Sequence, residues 1–295
     1  MNSPHNVVEQ LADHKPGNDR SIGAILIDAG KLKAGDAERV LRLAQEQGLR
    51  FGDAAKQLGL ISDSDIEHAL SRQFDYPYLN PGESEVAREI VAAYNPFSPQ
   101  VEALRALRSQ LMLRWFDADA ERKTLAIVSP GRSEGRSWLT ANLGVVFSQL
   151  GERTLIIDAD LRAPRQHNLF GIDNRSGLSA ALSGRGSPEL IQRVPALRDL
   201  SVLPAGATPP NPQELLARPL FAQLLAQTAA DFDIILIDTP AGSAYADGQT
   251  IAVRASGALL VAQRNASRLG LLRSYADMLR QASATVVGVV LNEKP

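Results

Sequence analysis

The run Ser129-Pro-Gly-Arg-Ser-Glu-Gly-Arg-Ser137 carries two chemistries at once. Gly131 to Gly135 is a G-x-S-x-G, the spacing of a hydrolase nucleophile elbow. Such a serine needs a histidine base later in the chain, and only His167 follows Ser133. With no other histidine downstream in this sequence, a serine hydrolase is not expected. The same residues also make a phosphate-binding loop. Glycines let backbone N–H groups approach phosphate, the next helix N-terminus favours negative charge, and a hydroxyl beside the basic residue can hold Mg²⁺. Here the basic residue is Arg136 in place of the usual lysine, the hydroxyl is Ser137, and Pro130 stands where the first glycine is expected. Nucleotide contacts are expected from Gly131, Ser133, Glu134, Gly135, Arg136 and Ser137. Trp138, next in line, reads either as core or as a base-stacking platform.

Three carboxylates strengthen the phosphate reading. LIIDADLR ends a strand with Asp158 and Asp160, and IILIDTP ends another with Asp238. Period-2 alternation puts Asp158 and Asp160 on one side, at the carboxyl end of a strand, where α/β ligands bind. Carboxylates converging on a phosphate loop would make a site for Mg²⁺ and for activating a nucleophile.

These residues need a scaffold. TLAIVS, RTLIIDAD, LSVLPA, FDIILID, GALLVAQ and TVVGVVLN are six short runs with few charges, separated by helical segments. Strands buried on both faces look like this. A doubly wound, mostly parallel α/β fold is predicted, preceded by a helix from Val101 to about Trp115.

The front of the chain differs. Residues 1–20 read as a polar, disordered tail. IGAILIDAGKL and FGDAAKQLGLI form a repeat in which Gly23 matches Gly52 and Gly30 matches Gly59, and second helices follow at Asp36–Gln47 and Asp63–Phe74. Ser62 with Asp65 has the look of a capping box. The helical repeat domain is assigned to 21–80, a proline-bearing linker to 81–96, and the α/β domain to 97–295.

Composition agrees with a soluble, two-domain, cytoplasmic protein. Of 295 residues 44% are hydrophobic and 22% charged, with a net charge of −2. That balance argues against a nucleic-acid partner. Cysteine is absent, which excludes disulfides and thiol chemistry, and the four histidines lack metal-ligand spacing. No apolar run approaches bilayer length, and the N-terminus lacks a signal-peptide core.

Over roughly 97–292 the motifs resemble the bacterial tyrosine kinases, relatives of the MinD/ParA-type deviant Walker ATPases. Ser129–Ser137 matches Walker A, LIIDADLR Walker A′, and IILIDTP Walker B; GLSAALSG and GVVLN, ending in Asn292, also match. The resemblance implies a P-loop NTPase fold, with ATP and Mg²⁺ as cofactors. It gives Arg136, Asp158, Asp160 and Asp238 catalytic roles, Ser137, Asp160 and Asp238 metal roles, and puts Asn292 near adenine. Glu102, Arg105 and Arg108 match the family's E-x-x-R-x-x-R oligomerisation motif, which implies a homo-oligomer. The repeat is similar to the N-terminal (MshE-type) domain of type II secretion ATPases, some of which bind cyclic di-GMP. Arg50 and Gln73 fit that motif in copy two, whereas copy one has Ser21 and Ala44, so weak or no binding is expected.

Together these features resemble an EpsG-type chain-length-determinant tyrosine kinase. The implied function is ATP-dependent tyrosine phosphorylation regulating exopolysaccharide chain length and export. The implied partner is a membrane chain-length-determinant (polysaccharide copolymerase) protein that would hold the kinase at the inner membrane. Alternatives are a non-catalytic nucleotide switch or adaptor for that partner, and a ParA/MinD-like ATPase. Two departures bear on activity: Lys123 and Lys294 have no lysine between them to replace the missing one, and the last tyrosines, Tyr245 and Tyr275, stand alone.

Overall fold

The computed structural model describes residues 21–73, 78–80, 82, 84–116 and 122–293. The tail expected over 1–20 lies outside them, as does Phe74. Two compact units divide the chain, Met1–Pro77 and Tyr78–Pro295.

Among the described residues the first unit has four helices, α1 (Ile22–Asp28), α2 (Ala34–Gln47), α3 (Phe51–Gln57) and α4 (Asp63–Gln73). Helix α1 packs on α4 and α2 on α3, around a core that includes Leu26, Val40, Ala54 and Ala69. The repeated glycines have packing and turn duties. A Cβ on Gly23 would sit 3.1 Å from the Phe51 ring, and one on Gly52 would sit 3.1 Å from Ile66. Gly30 and Gly59 take positive φ, +68° and +65°, where the chain leaves a helix. The Ser62–Asp65 capping box forms in full. Asp65 N–H donates to Ser62 Oγ at 3.2 Å, and the Ser62 hydroxyl and N–H donate to Asp65 Oδ2 at 2.6 and 3.0 Å, the hydroxyl first in holding that carboxyl below its usual range.

The second unit is a seven-stranded sheet in the order β3-β4-β2-β5-β1-β6-β7. Its strands are β1 (Thr124–Val128), β2 (Thr154–Asp158), β3 (Gln192–Arg193), β4 (Leu200–Leu203), β5 (Ile234–Asp238), β6 (Gly257–Gln263) and β7 (Thr285–Asn292). All neighbours run parallel except β3 and β4. The six predicted runs become six strands. The seventh, β3, has two polar residues at an edge and so gives no apolar pattern to read.

One sheet face is covered by α5 (Val91–Tyr94), α6 (Pro99–Arg114) and α7 (Arg136–Ser148), over a core with Leu125, Ile127, Phe147 and Trp115. The segment Gln166–Phe170 is α8 and Leu178–Leu182 is α9. Helices α10 (Pro212–Ala217), α11 (Pro219–Asp231), α12 (Asp247–Arg254) and α13 (Leu269–Gln281) serve the other face, over Val128, Ile157, Phe221 and Leu260. Helix α6 begins with Ser98 as N-cap, accepting from Val101 N–H, and with proline in its first turn. No helix of the described residues is long and apolar enough to cross a membrane.

The linker expected at 81–96 is not a free connection. Val86, Ile90, Ala92, Ala93 and Tyr94 are buried in the second unit's core. Ala92 N–H donates to Asn142 Oδ1 at 3.0 Å and Gln149 Nε2 to the Ala92 carbonyl at 2.9 Å. The prolines and acidic residues mark turns here, and they mask the apolar positions between them.

Candidate functional site

The loop between β1 and α7 is built by two left-handed residues. Ser133 has φ +59° and Gly135 has φ +101°. A Cβ on Gly135 would fall 2.0 Å from Asn292 Nδ2, so glycine is required there by both conformation and space. That amide donates to the Glu134 carbonyl at 3.1 Å, which ties the last strand to the loop. The Glu134 carboxylate turns inward. It accepts the Gly131 N–H at 2.6 Å and bonds the Ser267 hydroxyl.

Arg136 is buried, and its charge is held by the loop's own backbone. Its Nε donates to the Thr239 carbonyl at 2.8 Å, and Nη1 donates to the Gly131 carbonyl at 2.6 Å and to Ser129 Oγ. The side chain thus fastens the loop to the end of β5.

The three carboxylates divide into two kinds. Asp158 and Asp238 are paired in register on adjacent strands and fully buried. Asp158 Oδ1 accepts the Asp160 N–H, while Oδ2 accepts N–H groups of Arg165 and Gln166 at 3.0 and 2.9 Å. It closes the loop into α8 and does not line the cleft. The alternation expected to bring both carboxylates to the cleft therefore does not do so: Asp160 lines it and Asp158 does not. The reason is local: β2 ends at Asp158, so strand alternation no longer governs Asp160. Burial first, and the Asp238 charge second, push the Asp158 carboxyl well above its usual range.

Asp238 Oδ2 accepts Gln166 Nε2 at 2.8 Å, whereas its Oδ1 is buried without a partner among the described residues. Burial raises its pKa to about 6, against hydrogen bonds from Gln166 and Ser137 that pull it down. Asp160 stands at the cleft wall. Its Oδ1 takes the Arg162 and Ala163 N–H groups at 3.2 and 2.9 Å, and Oδ2 makes no hydrogen bond among the described residues.

These elements surround a cleft of about 790 Å³. Ser133, Gly135, Arg136, Ser137, Trp138, Asp160 and Asn292 line it. Gly131, Glu134, Asp158 and Asp238 stand behind that wall. Trp138 lines the cleft with its Nε1 fixed on the Glu89 carbonyl at 2.8 Å. Ser133 has the backbone twist of an elbow, but no histidine lines the cleft. Sequence reasoning missed Gln166, which bridges Asp238 and the Ser137 carbonyl. It also missed Arg162, whose Nε and Nη2 donate to buried Asp247 at 2.7 and 3.3 Å. Arg162 lies inside LIIDADLR and could have been singled out from that run; Gln166 and Asp247 sit in stretches without a motif.

Mg²⁺ fits the donor set at one point, where the Asp238 carboxyl, with its orphaned Oδ1, lies within the influence of the Ser137 hydroxyl. No group of three His, Cys, Asp or Glu among the described residues could hold an ion alone. A Mg²⁺ ion with one or two protein ligands completes its shell with phosphate and water.

The residues of the E-x-x-R-x-x-R run are partly engaged within the chain. Arg105 pairs with Glu102 at 3.1 Å, one turn away, and Arg108 Nη1 donates to the Val146 carbonyl of α7 at 2.8 Å.

Known proteins resemble this arrangement. The ParA family model, described as an iron-transfer P-loop NTPase of NUBPL type, matches residues 121–294. Tyrosine-protein kinase YwqD of Bacillus subtilis is 32% identical over 72% of this chain and 88% of its own length. The chain belongs to the bacterial tyrosine-protein kinases. Tyrosine-protein kinase wzc of Salmonella typhimurium is 34% identical over 69% of this chain, but the match spans only 28% of wzc. The solved kinase domain of Escherichia coli ETK superposes with a TM-score of 0.66 at 32% identity, covering 69% of this chain and 79% of that one. Iron–sulfur cargo is held by cysteine thiolates, and this chain has no cysteine, so with the ParA model it shares the P-loop fold.

Proposed function

We propose that the second unit binds ATP with Mg²⁺ in this cleft and transfers the γ-phosphoryl group to a tyrosine hydroxyl. The observation that carries the reading is the division of carboxylates. Asp160 lines the cleft, while Asp238 sits buried near Ser137 with one orphaned oxygen. Loop N–H groups and the α7 N-terminus hold phosphate, and Asn292 borders the adenine end. Ser137 and Asp238 hold Mg²⁺, which neutralises charge developing on the phosphates. Asp160 takes the proton of the acceptor hydroxyl, and Arg136 stiffens the loop. Phosphotyrosine blotting of wild type and Asp160→Asn, with ATP binding measured by calorimetry, tests this. Retained ATP binding with phosphotyrosine lost in Asp160→Asn is expected; equal signal in both would refute the role of Asp160.

The wider setting follows from membership of this family. The kinase would regulate exopolysaccharide chain length and export with a membrane chain-length-determinant protein, as an oligomer joined through α6. A second reading is a nucleotide switch that binds ATP without transfer. It is favoured by Arg136, whose donors are engaged by the loop instead of pointing to phosphate. For the first unit we favour docking to another protein of the export complex over cyclic di-GMP, because its repeated glycines are accounted for by helix packing and turns. Sub-micromolar cyclic di-GMP binding would overturn that preference.

A further inference from the structure

The chain contains five tyrosines, of which Tyr76 lies outside the described residues. Tyr94 and Tyr275 are buried, and Tyr94 gives its hydroxyl proton to the Val86 carbonyl. Tyr275 lies beneath Gly242 and Gly248, where Cβ atoms would come within 2.4 and 2.7 Å of it. Tyr78 is half-buried and does not line the cleft. Tyr245 is different: it is 37% exposed and belongs to the cleft wall that also contains Ser137 and Asp160.

Its placement is built by the chain. After β5 the backbone turns back on the phosphate loop, with Gly242 N–H donating to the Ser129 carbonyl at 2.9 Å and Ser243 N–H to the Pro130 carbonyl at 2.7 Å. The Tyr245 ring then stacks on the Arg162 guanidinium, 3.8 Å from its centroid. Arg162 is itself fixed, by the buried Asp247 carboxylate through its side chain and by Asp160 Oδ1 through its N–H. One residue therefore links the tyrosine to the carboxylate that faces the cleft. A cation on an aromatic face orients the ring and leaves the hydroxyl at its far end unengaged.

We infer that Tyr245 is a phosphoryl acceptor, modified in cis within the cleft of its own chain. The inference rests on the kinase reading above. The Tyr245 oxygen attacks the γ-phosphorus of ATP and forms a new P–O bond. The bond from that phosphorus to the β,γ-bridging oxygen breaks, its electron pair leaves with ADP, and the phenolic proton passes to Asp160. The product places a doubly ionisable phosphate against Arg162, which can pair with it.

The test is peptide mass spectrometry of the full chain after incubation with ATP and Mg²⁺, beside transfer to a synthetic glutamate–tyrosine copolymer. One phosphoryl group on Tyr245 is expected, absent from Tyr245→Phe, with a first-order rate unchanged on dilution of the protein. Copolymer phosphorylation by wild type with Tyr245 unmodified would overturn this inference and leave the kinase reading intact. A rate proportional to protein concentration would overturn the in-cis route. No transfer to either acceptor would bring down both the kinase reading and this inference.

Discussion

Asp238 sets a pH dependence that can be worked from its surroundings. Its carboxyl is fully buried, one oxygen has no partner, and its pKa is raised from 3.8 to about 6. Between those values the folded protein binds more protons than the unfolded chain. Stability is therefore fully present below about pH 4 and is lost as pH rises through about 6. A shift of about two units corresponds to about 3 kcal/mol. Asp238→Asn removes the ionisation, so its stability relative to wild type should rise by about 3 kcal/mol between pH 4 and pH 8. For a unit of this size that is a relative gain of about 6–12 °C in melting temperature. Loss of the Asp238 charge also eases burial of Asp158, which acts in the same direction. Using the change with pH cancels whatever fixed cost the substitution carries. Calorimetric melts of both proteins across this range are the assay. Parallel stability curves would refute the argument that ionised Asp238 is poorly solvated in the empty site.

Other consequences are equally direct. Gly135→Ala should abolish measurable ATP binding by calorimetry and lower the melting temperature, because its Cβ would strike Asn292 Nδ2 at a φ of +101°. Arg162→Ala leaves Asp247 buried and unpaired; as the Arg162 side chain keeps 27% exposure, the cost in urea unfolding should be at the low end for such pairs, about 3 kcal/mol. Arg136→Lys replaces a forked donor by a single nitrogen that cannot span Thr239 and Gly131 together. A melting temperature lower by several degrees is expected from losing a charge-assisted bond of about 1.5–3 kcal/mol, with faster phosphotyrosine formation as the ammonium is released to the phosphates.

The sheet was legible because a strand buried on both faces must be apolar throughout, and each of β1, β2 and β5 is such a run closed by a turn or an acid. The phosphate loop was legible because its glycines and following helix are local in sequence. What escaped is what closes on the site from a distance. Gln166 reaches Asp238 across 72 positions, and Arg162 reaches Asp247 across 85; neither span leaves a spacing to read. Period-2 alternation puts Asp158 and Asp160 on one side only if it is extended past the end of β2. The N–H groups of Arg165 and Gln166 decide otherwise, and they come from the turn that follows. The segment around Ile90 was misjudged for a related reason: proline marks the turns but says nothing of what is packed between them.

Arg136 shows how one substitution alters what a phosphate loop is for. A lysine there is a single flexible charge, free to follow the phosphates. The guanidinium instead offers five donors in a fixed plane, and three of its bonds go to Ser129, Gly131 and Thr239. Those bonds join β1's loop to the end of β5, so the loop's shape is fixed by the chain's own groups. Holding the loop in shape lowers the ordering cost of binding ATP, while the charge that would follow the transferred group is committed elsewhere. Catalysis gains only from interactions stronger in the transition state than in the bound substrate. The same side chain therefore favours nucleotide binding over transfer, and Asp160 and Mg²⁺ must supply the difference for phosphorylation to proceed.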